Sequence, residues 1–187
     1  MDIGKTLRLT NRKQWRSWLI KNHNKEKEIW LVYYRKSSGK KRIPYNDAVE
    51  EALCYGWIDS ILKNIDDKSF AQRFSPRRSN SVLSQLNKER IHKLIEKKKM
   101  TVKGLNAVKH VFDASSINST YVIQDDILKL LKKDKTTWEN FQNFPESYKR
   151  IRIGWIEESR TRPEFFNKRL NYFLKMTAKN KKYGMMQ

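Results

Sequence analysis

Cysteine occurs once in this chain, at Cys54, so an internal disulfide framework is excluded and a reducing compartment fits. The six glycines lie far apart, and no glycine-rich dinucleotide fingerprint or Gly-x-Ser-x-Gly elbow can be written from them. Ser38-Gly39-Lys40 has the ending of a phosphate loop, but the earlier glycine is missing and Lys41 stands where the hydroxyl should be. Histidine occurs three times, at His23, His92 and His110, without metal-ligand spacing, so neither a metal nor a cofactor is expected. The longest unbroken apolar run, Ile29 to Tyr34, has six residues, far short of a membrane span. Met1 to Thr6 contains no apolar signal-peptide core.

Acidic residues are scarce against basic ones. Lys and Arg number 41 and Asp and Glu 20 in 187 residues, a net charge of +21. The excess is even along the chain: 13 basic against 7 acidic over residues 1–60, 13 against 5 over 61–120, and 15 against 8 over 121–187. One reading is an anionic partner, nucleic acid or an anionic surface. The other is compositional drift, since 27 Lys, 14 Arg and 14 Asn are what an AT-rich genome would favour. Specific readers of DNA bases lean on Arg, whereas this excess is mostly Lys. Hydrophobic residues at 38% and aromatics at 12% suffice for a core, which rules out a wholly disordered chain.

The apolar pattern predicts an α+β first part. Thr10 can cap a helix carrying Trp15, Trp18 and Leu19 on one stripe. Ile29 to Arg35 reads as a buried strand, and residues 37–41 as a polar loop. After Pro44, the residues Tyr45, Ala48, Val49, Ala52 and Leu53 form an amphipathic face, and Gly56 ends that helix. Trp57 to Leu62 and Phe70 to Ser75 read as a hairpin stopped by Pro76. Helices follow from Ser84 to about Lys97 and from Thr101 to Phe112. Beyond a Ser- and Asn-rich stretch the chain reads as wholly helical. Its helices carry Ile127, Leu130 and Leu131, a Thr136–Glu139 capping box, and runs after Pro145 and Pro163. The expected division is an α+β domain over 1–114, a linker over 115–124, a helical module over 125–180 and a basic tail over 181–187. The fold class is helices on a small, mostly antiparallel sheet, followed by a helical C-terminal module.

Few residues invite chemistry. Cys54 lies at a helix C-terminus, where the dipole opposes a thiolate, and reads as a packed thiol. Asp59 sits between Trp57 and Ile61 on one strand face. A three-residue hairpin loop centred on Asp66 would set Asp59 opposite Arg73 as a cross-strand ion pair. The other reading is an acid or base at a pocket mouth. The run from Arg73 to Ser81 holds Arg73, Arg77 and Arg78 among serines before a helix. It is either an anion site or a solvated basic loop.

The block Tyr45-Asn46-Asp47-Ala48-Val49-Glu50-Glu51-Ala52-Leu53-Cys54-Tyr55-Gly56-Trp57-Ile58-Asp59-Ser60 resembles the signature of the YdeI / OmpD-associated (bacteriocin-protection) family. Phe74-Ser75-Pro76-Arg77-Arg78, then Asn87, Arg90, Leu94, Met100 and Gly104-Leu105, and the segments around Trp138, Trp155 and Arg169 extend the resemblance over roughly residues 7–180. It implies an α+β N-terminal part, a helical C-terminal part, and protection against envelope-directed agents. It brings no agreed catalytic residues. The chain departs from the pattern at Leu83, where a Trp is common before the serine, and at Lys97, Lys98 and Lys99 before Met100.

The expectation is therefore a cytoplasmic, bacterial binding or stress-protection protein without a catalytic residue. Its ligand site would draw on Tyr45, Trp57, Asp59, Arg73, Arg77, Arg78 and Asn87, with an anionic small molecule or an acidic partner as guest. Two alternatives stand beside it. One is sequence-nonspecific nucleic-acid binding, which the Lys and Arg residues next to aromatics near Tyr148 would serve. The other is an enzyme using Asp59 or Glu51 as acid or base with Tyr45 as donor.

Overall fold

The computed structural model describes residues 2–112 and 121–184. The chain divides into two compact units, Met1–Val82 with Arg90–Asp113, and Leu83–Glu89 with Ala114–Gln187. Residues 115–120 of the expected linker and 185–187 of the expected tail lie outside the described residues.

The first unit is built on a four-stranded sheet. Its elements are β1 (Thr6–Arg8), α1 (Arg12–Asn22), β2 (Ile29–Tyr34), α2 (Tyr45–Cys54), β3 (Trp57–Asp66) and β4 (Ser69–Pro76). The strand order is β1-β2-β4-β3, with β1 parallel to β2 and the other two pairings antiparallel, in keeping with the small, mostly antiparallel sheet the pattern predicts. Strand β2 is interior and buried along all but Tyr34, which explains its continuous apolar run. Edge strand β3 is mostly exposed, and the charges at Lys63 and Asp66 suit an edge.

Helices α1 and α2 are joined by packing and charge. Trp15 is fully buried, donates its indole N–H to the Ala48 carbonyl at 2.9 Å, and meets Phe74 of β4 edge-on. Arg12 reaches Asp47, Glu50 and Glu51, and Arg16 reaches Glu51 at 2.7 Å. The cap of α1 is Asn11, not Thr10: Asn11 accepts from the Gln14 N–H, while the Thr10 N–H donates back to the Gln14 side chain at 2.9 Å. That reciprocal pair satisfies two helix-terminal donors and places the start one residue later than the hydroxyl suggests. Residues 36–38, which run into the loop expected over 37–41, form a turn of 3-10 helix closed by Gly39 in the left-handed region.

Helix α3 (Gln85–Glu96) gives its first turn to the second unit and the remainder to the first. Helix α4 (Val102–Val108), expected from Thr101 to Phe112, is capped by Thr101 and stops short of Phe112. It docks on the end of α2 by close backbone approach. Thr101 donates to the Cys54 carbonyl at 2.6 Å, and a Cβ on Gly104 would come within 2.2 Å of that same oxygen. Gly56, at φ +73°, terminates α2 as predicted.

The second unit is helical: α5 (Asp125–Lys132), α6 (Lys135–Asn143), α7 (Glu146–Glu157) and α8 (Pro163–Ala178). Ile127, Leu131, Phe141, Tyr148, Ile156 and Phe173 build its core. Leu130 of the predicted α5 stripe is 40% exposed instead. The N-cap of α6 is Asp134, which accepts from the Thr137 N–H and hydroxyl at 2.7 Å each, so the helix begins ahead of the expected Thr136 box. An ionised cap is the stronger acceptor at a positive dipole end. Among the described residues no helix is long and apolar enough to cross a membrane.

Candidate functional site

The hairpin register decides where the predicted site residues go. The turn has two residues, Asp67 and Lys68, and two bulges place ten residues of β3 against eight of β4. Asp59 therefore pairs with Phe74, not with Arg73. Because side chains alternate along a strand, that one-residue slip puts Asp59 and Arg73 on opposite faces of the sheet. The expected Asp59–Arg73 ion pair is corrected accordingly. Arg73 binds Glu28 instead, through Nε at 2.8 Å and Nη2 at 2.6 Å, and Glu28 also accepts from the Trp30 indole. These bonds hold the Glu28 carboxyl below the usual glutamate range.

The three arginines have three different surroundings. Arg73 is tied to a carboxylate, and Arg78 is exposed. Arg77 leaves the end of β4, where its N–H donates to the Gly56 carbonyl at 2.9 Å. Its Nη2 donates to the Ser81 and Val82 carbonyls, and its buried Nε has no hydrogen-bond partner among the described residues. Burial pulls the pKa of this guanidinium down, though it stays far above neutrality.

Arg77 lines a cleft of about 460 Å³ together with Ser79, Lys103, Asn106, Lys109 and His110. Among the described residues no carboxylate lines it. Both walls depend on the Gly56 turn: Arg77 hydrogen-bonds its carbonyl, and Ala107 lies where a Gly56 Cβ would be 2.8 Å away. The contribution of α4 was not apparent from the sequence, because Lys103, Lys109 and His110 reach Arg77 only through the docking of Gly104 on Cys54.

A second polar group lies on the helix-covered face of the sheet. Tyr45, the first residue of α2, donates its hydroxyl to Asp59 of β3 at 2.5 Å. Burial first, and the Asp59 hydrogen bond and charge next, push the Tyr45 phenol well above its ordinary pKa. It therefore stays protonated at neutral pH and acts as a donor. Tyr33 of β2 is 1% exposed, and its hydroxyl is buried without a hydrogen-bond partner. Burial raises its pKa strongly, with smaller influences from Tyr45, Asp59 and Arg42. The Arg42 guanidinium lies over the Tyr33 and Phe70 rings. Arg90 is 4% exposed and donates to the Asn46 side chain at 2.7 Å, and desolvation lowers its pKa. Tyr33, Arg42 and Arg90 come from separated segments, so only the fold brings them to Tyr45 and Asp59.

The remaining predicted residues have other surroundings. Trp57 is 1% exposed, packs edge-on against Trp18, and donates its indole N–H to the His23 carbonyl at 3.1 Å, a core position. Asn87 belongs to the second unit, where its N–H donates to the Ser84 hydroxyl. Both oxygens of Glu51 accept from guanidiniums, those of Arg12 and Arg16. Cys54 is fully buried, and burial pushes its thiol up to about 11. No group of acidic, histidine or cysteine side chains among the described residues could hold a metal ion.

No curated protein and no solved structure matches the chain. Two family models do, one on each part. The first, described as "Domain of unknown function (DUF8412)", matches residues 7–107, more than half of the chain, and covers the Tyr45–Ser60 block that carried the resemblance. The second, described as "Bacteriocin-protection, YdeI or OmpD-Associated", matches residues 120–180 and bears out the family recognised from sequence. The chain belongs to the DUF8412 domain family, and its residues 120–180 are a domain of the Bacteriocin-protection, YdeI or OmpD-Associated family.

Proposed function

We propose that this protein binds an anionic small molecule, or an acidic segment of a partner, without transforming it, and that the binding site is the Arg77 cleft. The observation that carries this reading is the lining: Arg77, Lys103, Lys109 and His110 surround about 460 Å³ with no carboxylate among them. Cations that are already paired gain little from a new anion, whereas unpaired ones held together do. Arg77 is partly preorganised, since two backbone carbonyls fix one edge of its guanidinium. Of the predicted site residues, Arg77 lines this cleft, Arg78 follows it in sequence, and Tyr45 with Asp59 forms the separate polar group described above. Protection against bacteriocins, named in the family matched at residues 120–180, is the cellular role we assign, in a reducing cytoplasm that suits the free Cys54.

The test is a titration of the full chain with inorganic pyrophosphate, followed by amide NMR and calorimetry. Saturable shifts at Lys103, Asn106 and His110 are expected, with affinity falling about tenfold or more in Arg77→Gln. Unchanged affinity in a folded Arg77→Gln overturns the proposal. The nucleic-acid reading of the +21 charge has its own outcome in the same design. A duplex oligonucleotide that shifts residues over much of the surface, with a steep loss on adding salt, would replace the cleft with a diffuse electrostatic interface.

A further inference from the structure

The second unit contains a buried cation that has no ion-pair partner among the described residues. Arg152 of α7 is 6% exposed, yet no carboxylate lies within ion-pair distance of it among the described residues. Its Nε is buried with no hydrogen-bond partner among the described residues. The rings of Tyr148, Trp155 and Tyr183 surround it, with its central carbon 5.6, 5.6 and 4.9 Å from their centroids. Gly184, at φ +92°, brings backbone close to the guanidinium, where a Cβ would stand 2.8 Å from Nη1. Aromatic faces attract a cation, but they do not neutralise it or accept its N–H donors as an oxyanion does.

Arg152 also lines a cavity of about 290 Å³ with Ser84, Trp155, Glu158 and Arg169. Arg169 stacks on the indole of Trp155, 4.5 Å from the ring centroid, and donates to the Trp155 carbonyl. The Glu158 carboxylate in the same lining accepts from the Gln85 N–H at 3.3 Å. A second cavity of about 300 Å³ shares Trp155 and Arg169 and is lined otherwise by Phe165, Lys168 and Tyr172. Phe165 is 51% exposed and Tyr172 46%, an unusual exposure for large aromatics on one small surface. One cavity thus holds two guanidiniums, a hydroxyl and the Glu158 carboxylate, and it shares Trp155 and Arg169 with an aromatic recess.

We infer that the second unit holds its own ligand site, for a small anion bearing an aromatic group. The phosphate or carboxylate head engages Arg152, Arg169 and Ser84, and the ring enters the Trp155–Phe165–Tyr172 recess. Charge and shape select together: the head supplies an oxygen to the Arg152 Nε, which the neighbouring Tyr183 hydroxyl leaves without a partner, and the ring covers apolar surface otherwise left in water. This site is independent of the Arg77 cleft and uses none of its residues.

Phenyl phosphate, inorganic phosphate and phenol serve as probes on the full chain, read by NMR at the Trp155 indole N–H and the Arg152 Nε–H. Phenyl phosphate is expected to bind at one site with saturating shifts at both. Inorganic phosphate should bind about tenfold or more weakly, and phenol weaker still. Arg169→Gln should reduce phenyl phosphate affinity several-fold while keeping the native spectrum. Arg152→Met should abolish binding, and if that variant does not fold, Arg169→Gln alone decides. Phenyl phosphate that leaves Trp155 and Arg152 unmoved, or that binds folded Arg169→Gln as it binds the native chain, overturns the inference. Equal affinity for phenyl phosphate and inorganic phosphate would also overturn it, since the recess would then contribute nothing.

Discussion

Tyr45 and Asp59 are joined by a 2.5 Å hydrogen bond that ties the first residue of α2 to the third residue of β3. The bond closes a loop of chain around the helix that carries the buried Ala48, Val49, Ala52 and Leu53. It also orients a phenol beside the orphaned Tyr33 hydroxyl and the buried Arg90. A carboxylate facing a phenol in a half-buried place serves two purposes: it anchors the helix start, and it keeps the phenol protonated.

Asp59→Asn separates those purposes. The amide still accepts a hydrogen bond, but the charge is gone, so two of the three influences that raise the Tyr45 pKa are weakened or removed. The Tyr45 pKa is expected to fall, read by NMR of its ring carbon. A hydrogen bond to a charged group contributes about 1.5–3 kcal/mol, so a loss of about 1 kcal/mol is expected in urea denaturation. A Tyr45 titration that does not move in the variant would contradict the assignment.

Arg73 and Glu28 should be energetically coupled, and Arg73 and Asp59 should not. Both side chains of the first pair are mostly shielded, at 18% and 27% exposure, so a coupling of about 1 kcal/mol is expected in a double-mutant cycle. Because the Glu28 pKa is depressed in the folded state, its contribution is present above the unfolded value and is lost as the pH falls through the folded one. The coupling should accordingly fade below about pH 4.5. A measurable cycle between Arg73 and Asp59, with none at Glu28, would restore the unbulged register.

Local signals in this sequence were readable and distant ones were not. The apolar spacing from Tyr45 to Leu53 and the glycine at Gly56 announced α2 and its end. Helix starts were displaced by one or two residues, because Asn11 and Asp134 outcompete the neighbouring threonines as acceptors. The hairpin register was lost because two bulges change the pairing count, and nothing local at Ser60 or Ile65 announces a bulge. The cleft suffered most. Arg77 was visible as part of a basic run, but Lys103 and His110 reach it only through the backbone contact between α4 and Cys54, which is a property of packing.

The thiol of Cys54 predicts an alkaline limit to stability. Its folded pKa of about 11 exceeds the ordinary value of 9.0, mainly because burial penalises the thiolate. The folded state therefore holds the proton more tightly. This contribution is complete below pH 9 and is lost progressively as the pH rises toward 11. Tyr33 and Tyr45 extend the loss above their ordinary value of 10. Urea denaturation at steps from pH 8 to 10.5 should show the decline, and Cys54→Ala should remove its first part. A wild-type stability that is flat across that range would argue against the buried thiol.

Gly104→Ala gives the sharpest test of the cleft, because two effects predict opposite signs. In an isolated helix alanine is favoured over glycine by about 1 kcal/mol. Here the added methyl would lie 2.2 Å from the Cys54 carbonyl oxygen and 2.8 Å from that of Leu53, both backbone atoms that cannot turn aside. Forced overpacking costs about 1–3 kcal/mol, which is enough to reverse the helical gain. The variant is expected to melt at lower temperature and to shift the amides of Lys103 and Asn106, which α4 carries into the cleft. Asn106→Ala, at an exposed position on the same helix, should stay within about 0.5 kcal/mol of wild type and serves as the control. A Gly104→Ala protein as stable as wild type would mean that α4 stands away from Cys54. The Arg77 cleft would then lack its second wall.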